Sequence, residues 1–267
     1  MYKDYVMEKF EADGKYNVVG QTPVSEPTEE LKLDHNPVGL HHIDLPRIVD
    51  LPEDHFARAY IAARQIPVEF WEEIFFADDF KMFLDETFPW HGKDKIKEND
   101  PRVVFFYTDR AGYIVNVCGR SFQADPKQRY LKVKVAEYRK VFNINRVDFG
   151  KKVYLTEGEF DSMFLPNAIA SGDSNLNGTA KWVYETFGVY PVLVFDKEPR
   201  NKQLVNIIED SIDEGFDVCL LPESFPGKDI NEAFLSGMTT LQIQEMIDEN
   251  TFRGLEAQLK MSSWKKC

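Results

Sequence analysis

The sequence predicts an α/β protein in two parts, an α+β first half and a second half in which a parallel sheet is flanked by helices. Three observations carry this. The segments KVYLT (152–156), PVLVFD (191–196) and DVCLLP (217–222) are apolar almost throughout and are separated by stretches of helical spacing, the pattern of strands covered on both faces. Upstream, RVVFFYT (102–108), GYIVNVCGRSF (112–122) and QRYLKVKV (128–135) read as three further strands. At 267 residues with 43% hydrophobic side chains, the chain can bury a proper core.

In chain order, residues 1–50 are polar and hold Pro23, Pro27, Pro37 and Pro46, which predicts a short helix followed by an extended arm. From Pro52 to Ala63, Phe56, Ala59, Tyr60 and Ala63 recur at helical spacing. A second helix is expected over Pro67 to Phe76, with proline in its first turn and Phe70, Ile74 and Phe75 on it. Asp109-Arg110-Ala111-Gly112 joins the first two upstream strands as a hairpin loop. In the third, Leu131, Val133 and Val135 alternate with Lys132 and Lys134, giving one buried face and one basic face. Beyond residue 150, helices are expected over Asp161–Ala170, Ala180–Phe187 and Lys202–Glu214, the last with Leu204, Ile207, Ile208 and Ser211 on one side. The tail is helical, with Thr239 and Gln242 forming a capping box ahead of Leu241, Met246 and Ile247. The divisions expected are 1–50, 51–145, 146–235 and 236–267.

Composition excludes several classes. No run approaches the roughly 20 apolar residues of a membrane helix, and the charged start argues against a secretory signal, so a cytoplasmic protein without a membrane partner is expected. Cys118, Cys219 and Cys267 form no CxxC pair, so no zinc site of the usual spacing is predicted, and the first two read as small core residues. All five histidines precede residue 92. The adjacent His41 and His42 read as surface residues on opposite sides of an extended chain. The net charge of −13 argues against a general nucleic-acid coat. Residues 127–152 nevertheless hold nine basic residues against Glu137 and Asp148, a stretch of +7 that leaves −20 for the rest. Tyr130, Tyr138, Phe142 and Phe149 are interleaved with it, a mixture suited to single strands. A solvated strand face plus a linker explains the stretch equally well.

Acidic residues follow the apolar strands. Glu157 comes directly after KVYLT, Asp196 and Glu198 after PVLVF, and Asp229 shortly after DVCLLP. Ligands of open α/β sheets bind beyond the carboxyl ends of the strands, so these side chains are expected to meet. Each alone reads as a helix cap or surface charge. Crowded carboxylates repel one another, however, and a bound cation is the simplest reason to tolerate them.

Glu157-Gly158-x-x-Asp161, then Asp196-x-Glu198 where Asp-x-Asp is usual, resembles the Toprim fold, a Rossmann-like domain shared by bacterial-type primases, topoisomerases and some nucleases. Lys228-Asp229-Ile230-Asn231 resembles a primase element in particular. Further upstream, Ala59-Tyr60-Ile61-Ala62-Ala63-Arg64-Gln65-Ile66-Pro67 resembles the helix that opens the primase catalytic core. Gly119-Arg120-Ser121-Phe122 and Arg129-Tyr130-Leu131 resemble that core's basic elements, and Ala170-Ser171-Gly172 the segment after the first Toprim helix. Asp196-Lys197-Glu198-Pro199-Arg200-Asn201 resembles primases of T-even-like tailed phages. The resemblance covers roughly residues 51–235.

The resemblance implies a DNA primase core that makes short RNA primers on single-stranded DNA from ribonucleoside triphosphates. It implies Mg2+ or Mn2+ on Asp196, Glu198 and Asp229, with Glu157 as a cation ligand or general base and Asp161 assisting. Arg120, Arg129, Tyr130 and Lys132 would hold template or nucleotide phosphates. A replicative hexameric helicase is the implied partner. Such primases usually carry an N-terminal zinc ribbon, so a separate zinc-ribbon chain, or its loss, is also expected; a phage-encoded enzyme would act in the host cytoplasm. The rival readings are a Toprim nuclease using the same carboxylates, and a non-catalytic adaptor that binds helicase and single-stranded DNA.

Overall fold

The computed structural model describes residues 37–90, 96, 99–123, 128–172 and 175–267. The expected N-terminal helix, His91 and Lys127 lie outside the described residues. Within 37–50 the chain makes two 3-10 turns, Leu40–His42 and Ile48–Asp50, and bridges to the sheet through Gly39–Tyr113 and Arg47–Phe75. His41 and His42 are exposed as expected. The 3-10 turn, though, brings their ring centroids to 3.9 Å instead of sending them to opposite sides.

The first sheet is an antiparallel meander in the order β1 (Ile74–Ala77), β2 (Arg102–Thr108), β3 (Ile114–Ser121), β4 (Tyr130–Lys134). Helix α1 (Phe56–Ala63) forms where helical spacing predicted it. The helix expected over Pro67–Phe76 does not form. A single 3-10 turn, Val68–Phe70, is followed by β1, in which all four residues of Ile-Phe-Phe-Ala are buried and pair with β2. A run that is apolar throughout has no polar helical face to offer solvent, and sheet pairing satisfies its backbone instead. Helix α2 (Phe80–Thr87), capped by Asp79, covers one face of the sheet, where Phe80, Phe83 and Leu84 pack with Val104, Val117 and Val133. The hairpin loop is as expected, with Gly112 at φ +87°.

The second sheet has the order β6 (Ala168–Ala170), β5 (Tyr154–Thr156), β7 (Val192–Val194), β8 (Val218–Cys219), β9 (Thr251–Phe252). Its first four strands are parallel, and β9 pairs antiparallel with β8. The helix expected over Asp161–Ala170 is one turn, α3 (Glu159–Ser162). Pro166 and Asn167, the latter at φ +55°, break the chain there, and the buried Ala-Ile-Ala beyond becomes edge strand β6. Helices α4 (Leu176–Phe187) and α5 (Lys202–Asp213) cover one face. Their Val183, Leu204 and Ile208 pack with Leu155, Ile169 and Leu193.

Beyond β8 come α6 (Ile230–Leu235), α7 (Thr240–Glu249) with the predicted capping box, and α8 (Gly254–Trp264). The alternate residues of the same strands, Tyr154, Ala170, Val192 and Val194, join a second core with Phe105, Tyr107, Cys118 and Phe160. That core welds the two sheets together. Cys118 and Cys219 are buried in it, as their apolar setting predicted.

Candidate active site

Strand β5 lies between β6 and β7, so the chain leaves β5 first to one side and then to the other. Loops on the carboxyl ends of β5 and β7 diverge at such a point and leave a crevice. The β5 loop carries Glu157 and leads into α3 with Asp161, and the β7 loop carries Asp196 and Glu198. Asp229 stands at the start of α6, where its carboxylate accepts a hydrogen bond from the backbone N–H of Glu232 at 2.8 Å.

Asp161, Asp196 and Asp229 lie within reach of one another's charge. Burial, then the charges of Asp229 and Asp196, push Asp161 up to about 8 from an ordinary 3.8. Burial and Asp229 likewise push Asp196 up to about 6, Glu198 and Glu232 adding to the effect and Lys228 opposing it. The sequence pointed to Glu157 as the first-strand member of this group; Asp161 is the carboxylate that feels the other two. Glu157 is half-buried at the end of β5, and its carbonyl accepts from the N–H of Gly172 at 3.0 Å. Glu198 accepts from Asn201 Nδ2 at 2.8 Å.

Two contacts fix Asp161. The backbone N–H of Asn231 donates to its Oδ1 at 3.1 Å. Gly158 leaves the space its carboxylate occupies, for a Cβ there would stand 2.9 Å from Oδ2. Asn231 is locked to the end of α1, accepting from Arg64 Nη1 and donating to the Arg64 carbonyl, both at 2.9 Å. Arg64 Cζ also lies 4.8 Å from the centroid of Phe160.

The other side of α3 meets the first sheet. Arg120, Tyr130 and Lys132 share one face of β3 and β4, since Arg120 pairs with Tyr130 and Cys118 with Lys132. That face is turned toward α3. Arg120 donates to the hydroxyls of Tyr60 and Tyr130 and sits 5.3 Å from the Phe160 centroid. Lys132 Nζ forms an ion pair with Glu159 Oε1 at 3.1 Å, and the same oxygen accepts from the Tyr107 hydroxyl. Glu159 is only 1% exposed. Burial alone would raise its carboxyl, but the Lys132 charge and the Tyr107 hydroxyl prevail and hold it below the usual range. Burial and the Glu159 charge push the Tyr130 phenol well up. Arg129 stands apart and exposed at the start of β4.

Residues 159–161 therefore point three ways: Glu159 to the basic face, Phe160 into the arginine and aromatic cluster, Asp161 to the carboxylates. Sequence reasoning gave no role to Glu159, Tyr107, Arg64 or Asn231. The one available signal was a tyrosine following the apolar run VVFF in RVVFFYT, a hydroxyl that needs a partner once buried.

Among the described residues, no three His, Cys, Asp or Glu side chains stand close enough to share one metal ion. The donor chemistry nevertheless suits a hard cation. Oxygen ligands alone are present, and burial together with mutual repulsion has lifted two of them toward protonation.

No family model matches the chain. It is 28% identical to the DNA primase of Enterobacteria phage T4, a similarity covering 100% of this chain and 75% of that protein. Its fold is similar to the zinc-binding and RNA polymerase domains of the Aquifex aeolicus primase, with 16% identity and a TM-score of 0.59 over 79% of this chain and 59% of that one. It is also similar to the E. coli primase catalytic core, with 17% identity and a TM-score of 0.59 over 80% of this chain and 78% of that one. The chain thus spans about three-fifths of the Aquifex structure and carries the mixed α/β fold of a primase catalytic core.

Proposed function

We infer that this chain is the catalytic core of a DNA primase, a nucleotidyltransferase that lays short RNA primers on single-stranded DNA. The observation that carries this is the convergence of Asp161, Asp196 and Asp229 at the switch point of a parallel sheet, beside a basic, tyrosine-bearing strand face. Similarity to a phage DNA primase over all of this chain and 75% of that protein supports it.

In primer synthesis the 3′-hydroxyl of one ribonucleotide attacks the α-phosphate of the next, and pyrophosphate leaves. Asp196, Glu198 or Asp229 would offer oxygens to a divalent cation, magnesium or manganese, with water and substrate phosphate filling the rest of its shell. When bound, it neutralises charge on the phosphoryl oxygens. Glu157, at the end of β5, accepts the hydroxyl proton or adds a further ligand. Asp161 orients the cluster, held by the Asn231 N–H and the space above Gly158.

Arg129 and Arg120 offer cationic contacts to template or nucleotide phosphates, and the Tyr130 ring can stack on a base. Lys132 acts differently from a free surface lysine, because its charge is already matched by Glu159. We assign it to placing β4 against α3, with its remaining N–H groups available to a phosphate. A replicative hexameric helicase would supply the unwound template, in the host cytoplasm if the chain is phage-encoded.

The test is incubation with single-stranded DNA, labelled ribonucleoside triphosphates and magnesium or manganese. New template-dependent RNA supports the reading. Shortened DNA would make the chain a Toprim nuclease, and neither product would make it a non-catalytic adaptor.

A further inference from the structure

A groove of about 970 Å³ lies away from the strand face that carries Arg120 and Lys132. Its walls are the loop after β7, the loop after β8 and one side of α8. It forms because the tail is tied across these loops. Trp264 Nε1 donates to the Leu221 carbonyl at 2.8 Å, and the Lys266 N–H donates to the Pro199 carbonyl at 2.8 Å. Phe252 and Trp264, both partly exposed, provide an aromatic wall. Arg200 and Lys260 also line the groove, and among the described residues neither has an ion-pair partner. Lys260 Nζ instead hangs 5.1 Å from the centroid of the Phe252 ring. Two acidic residues share the lining: Glu223 pairs with Lys266 at 3.1 Å, while Glu198 accepts from the neutral amide of Asn201 and keeps its charge.

Two unmatched cations beside an aromatic wall, in a volume within the usual range for small-molecule sites, have the chemistry of a nucleotide pocket. We propose that this groove is a second nucleotide site, taking the phosphates of a nucleoside triphosphate on Arg200 and Lys260 and its base on the wall of Phe252 and Trp264. The Arg guanidinium suits phosphate oxygens by geometry as well as charge, and the aromatic rings accept any base by its π face. Glu198 itself lines the groove, so an occupant would sit against the loop that carries this proposed cation ligand. The inference concerns binding alone and stands apart from the primase reading.

Because these groups are cationic, binding here needs no metal, whereas binding among the carboxylates does. Calorimetric titration of the whole chain with ATP in excess EDTA separates the two. One ATP should bind per chain. Arg200→Ala combined with Lys260→Ala should weaken it by about tenfold or more, and adenosine should bind at least about tenfold more weakly than ATP for the same reason. Asp196→Asn should leave the affinity in EDTA unchanged. Ser263→Trp fills the groove without touching a charge and should abolish binding, which guards against a misfolded double variant. No ATP binding in EDTA, equal affinity in the double variant, or equal affinity for adenosine would overturn the proposal.

Discussion

Asp161 is half-buried, hydrogen-bonded by a backbone N–H and crowded by two other carboxylates. Burial and repulsion win over the hydrogen bond, which is why its carboxyl rises to about 8. A carboxyl raised on folding stabilises most below its unfolded value near 3.8, and that contribution is lost as pH climbs through about 8. In EDTA, therefore, Asp161→Asn should gain on the wild type as pH rises, reaching roughly 1–3 kcal/mol at alkaline pH. Magnesium should shrink the gap. Denaturant melts of both proteins across this range check it, and a gap independent of pH would show that Asp161 is not coupled to its neighbours. Gly172 is a second single-residue test. It sits at φ +67°, and a Cβ there would meet the Tyr107 hydroxyl at 2.2 Å. Gly172→Ala should cost about 2–3 kcal/mol from backbone strain and overpacking together, read from the same melts. At this scale the carboxylates after the apolar strands were legible, because strand ends can be read from hydrophobic runs. The partners of Glu159 were not, because Tyr107 and Lys132 reach it across the interface between two sheets, a contact without periodicity.

Helix α3 shows what one turn can do at the level of an element. Four residues, Glu159–Ser162, tie the first sheet, the aromatic cluster and the carboxylates together. Removing a partner from the buried Lys132–Glu159 pair is expected to be costly, since an uncompensated charge remains. Lys132→Ala should lose about 3 kcal/mol or more, while Lys134→Ala should be nearly neutral because its pair with Glu137 is exposed. Equal melts for the two variants would mean that Glu159 finds another partner. Thr239→Ala offers a control on α7. Loss of the capping box should cost about 1 kcal/mol without altering primer yield, and a fall in yield would implicate the tail in catalysis. The missed elements share one cause. The sequence put helices over Pro67–Phe76 and Asp161–Ala170, where short buried runs, Ile-Phe-Phe-Ala and Ala-Ile-Ala, pair as strands β1 and β6. Short apolar runs do not distinguish helix from strand by spacing; only the available sheet edge decides.

Over the whole molecule, a chain of net charge −13 turns one basic strand face toward an acidic crevice. Arg120, Tyr130 and Lys132 lie on one side of α3 and Asp161, Asp196 and Asp229 on the other, with Phe160 between. Such an arrangement can hold a polyanion at its edge while concentrating negative charge where a cation is needed. Single-strand affinity should accordingly fall with salt. Arg129→Ala, which removes an exposed cation, should reduce the slope of log K against log salt by about 0.7; an unchanged slope would place the strand elsewhere. The architecture as a whole was legible from alternating apolar strands and helices, whereas the antiparallel β9 and the tail groove depend on contacts that no local pattern announces. The most direct test of the central claim compares RNA synthesis on single-stranded DNA by the wild type and by Glu157→Gln and Asp196→Asn, each verified as folded. The account predicts labelled RNA from the wild type that requires both template and divalent metal, at least about a hundredfold less from Glu157→Gln, and a raised magnesium requirement for Asp196→Asn. Undiminished RNA from both folded variants, or none from the wild type, would contradict it.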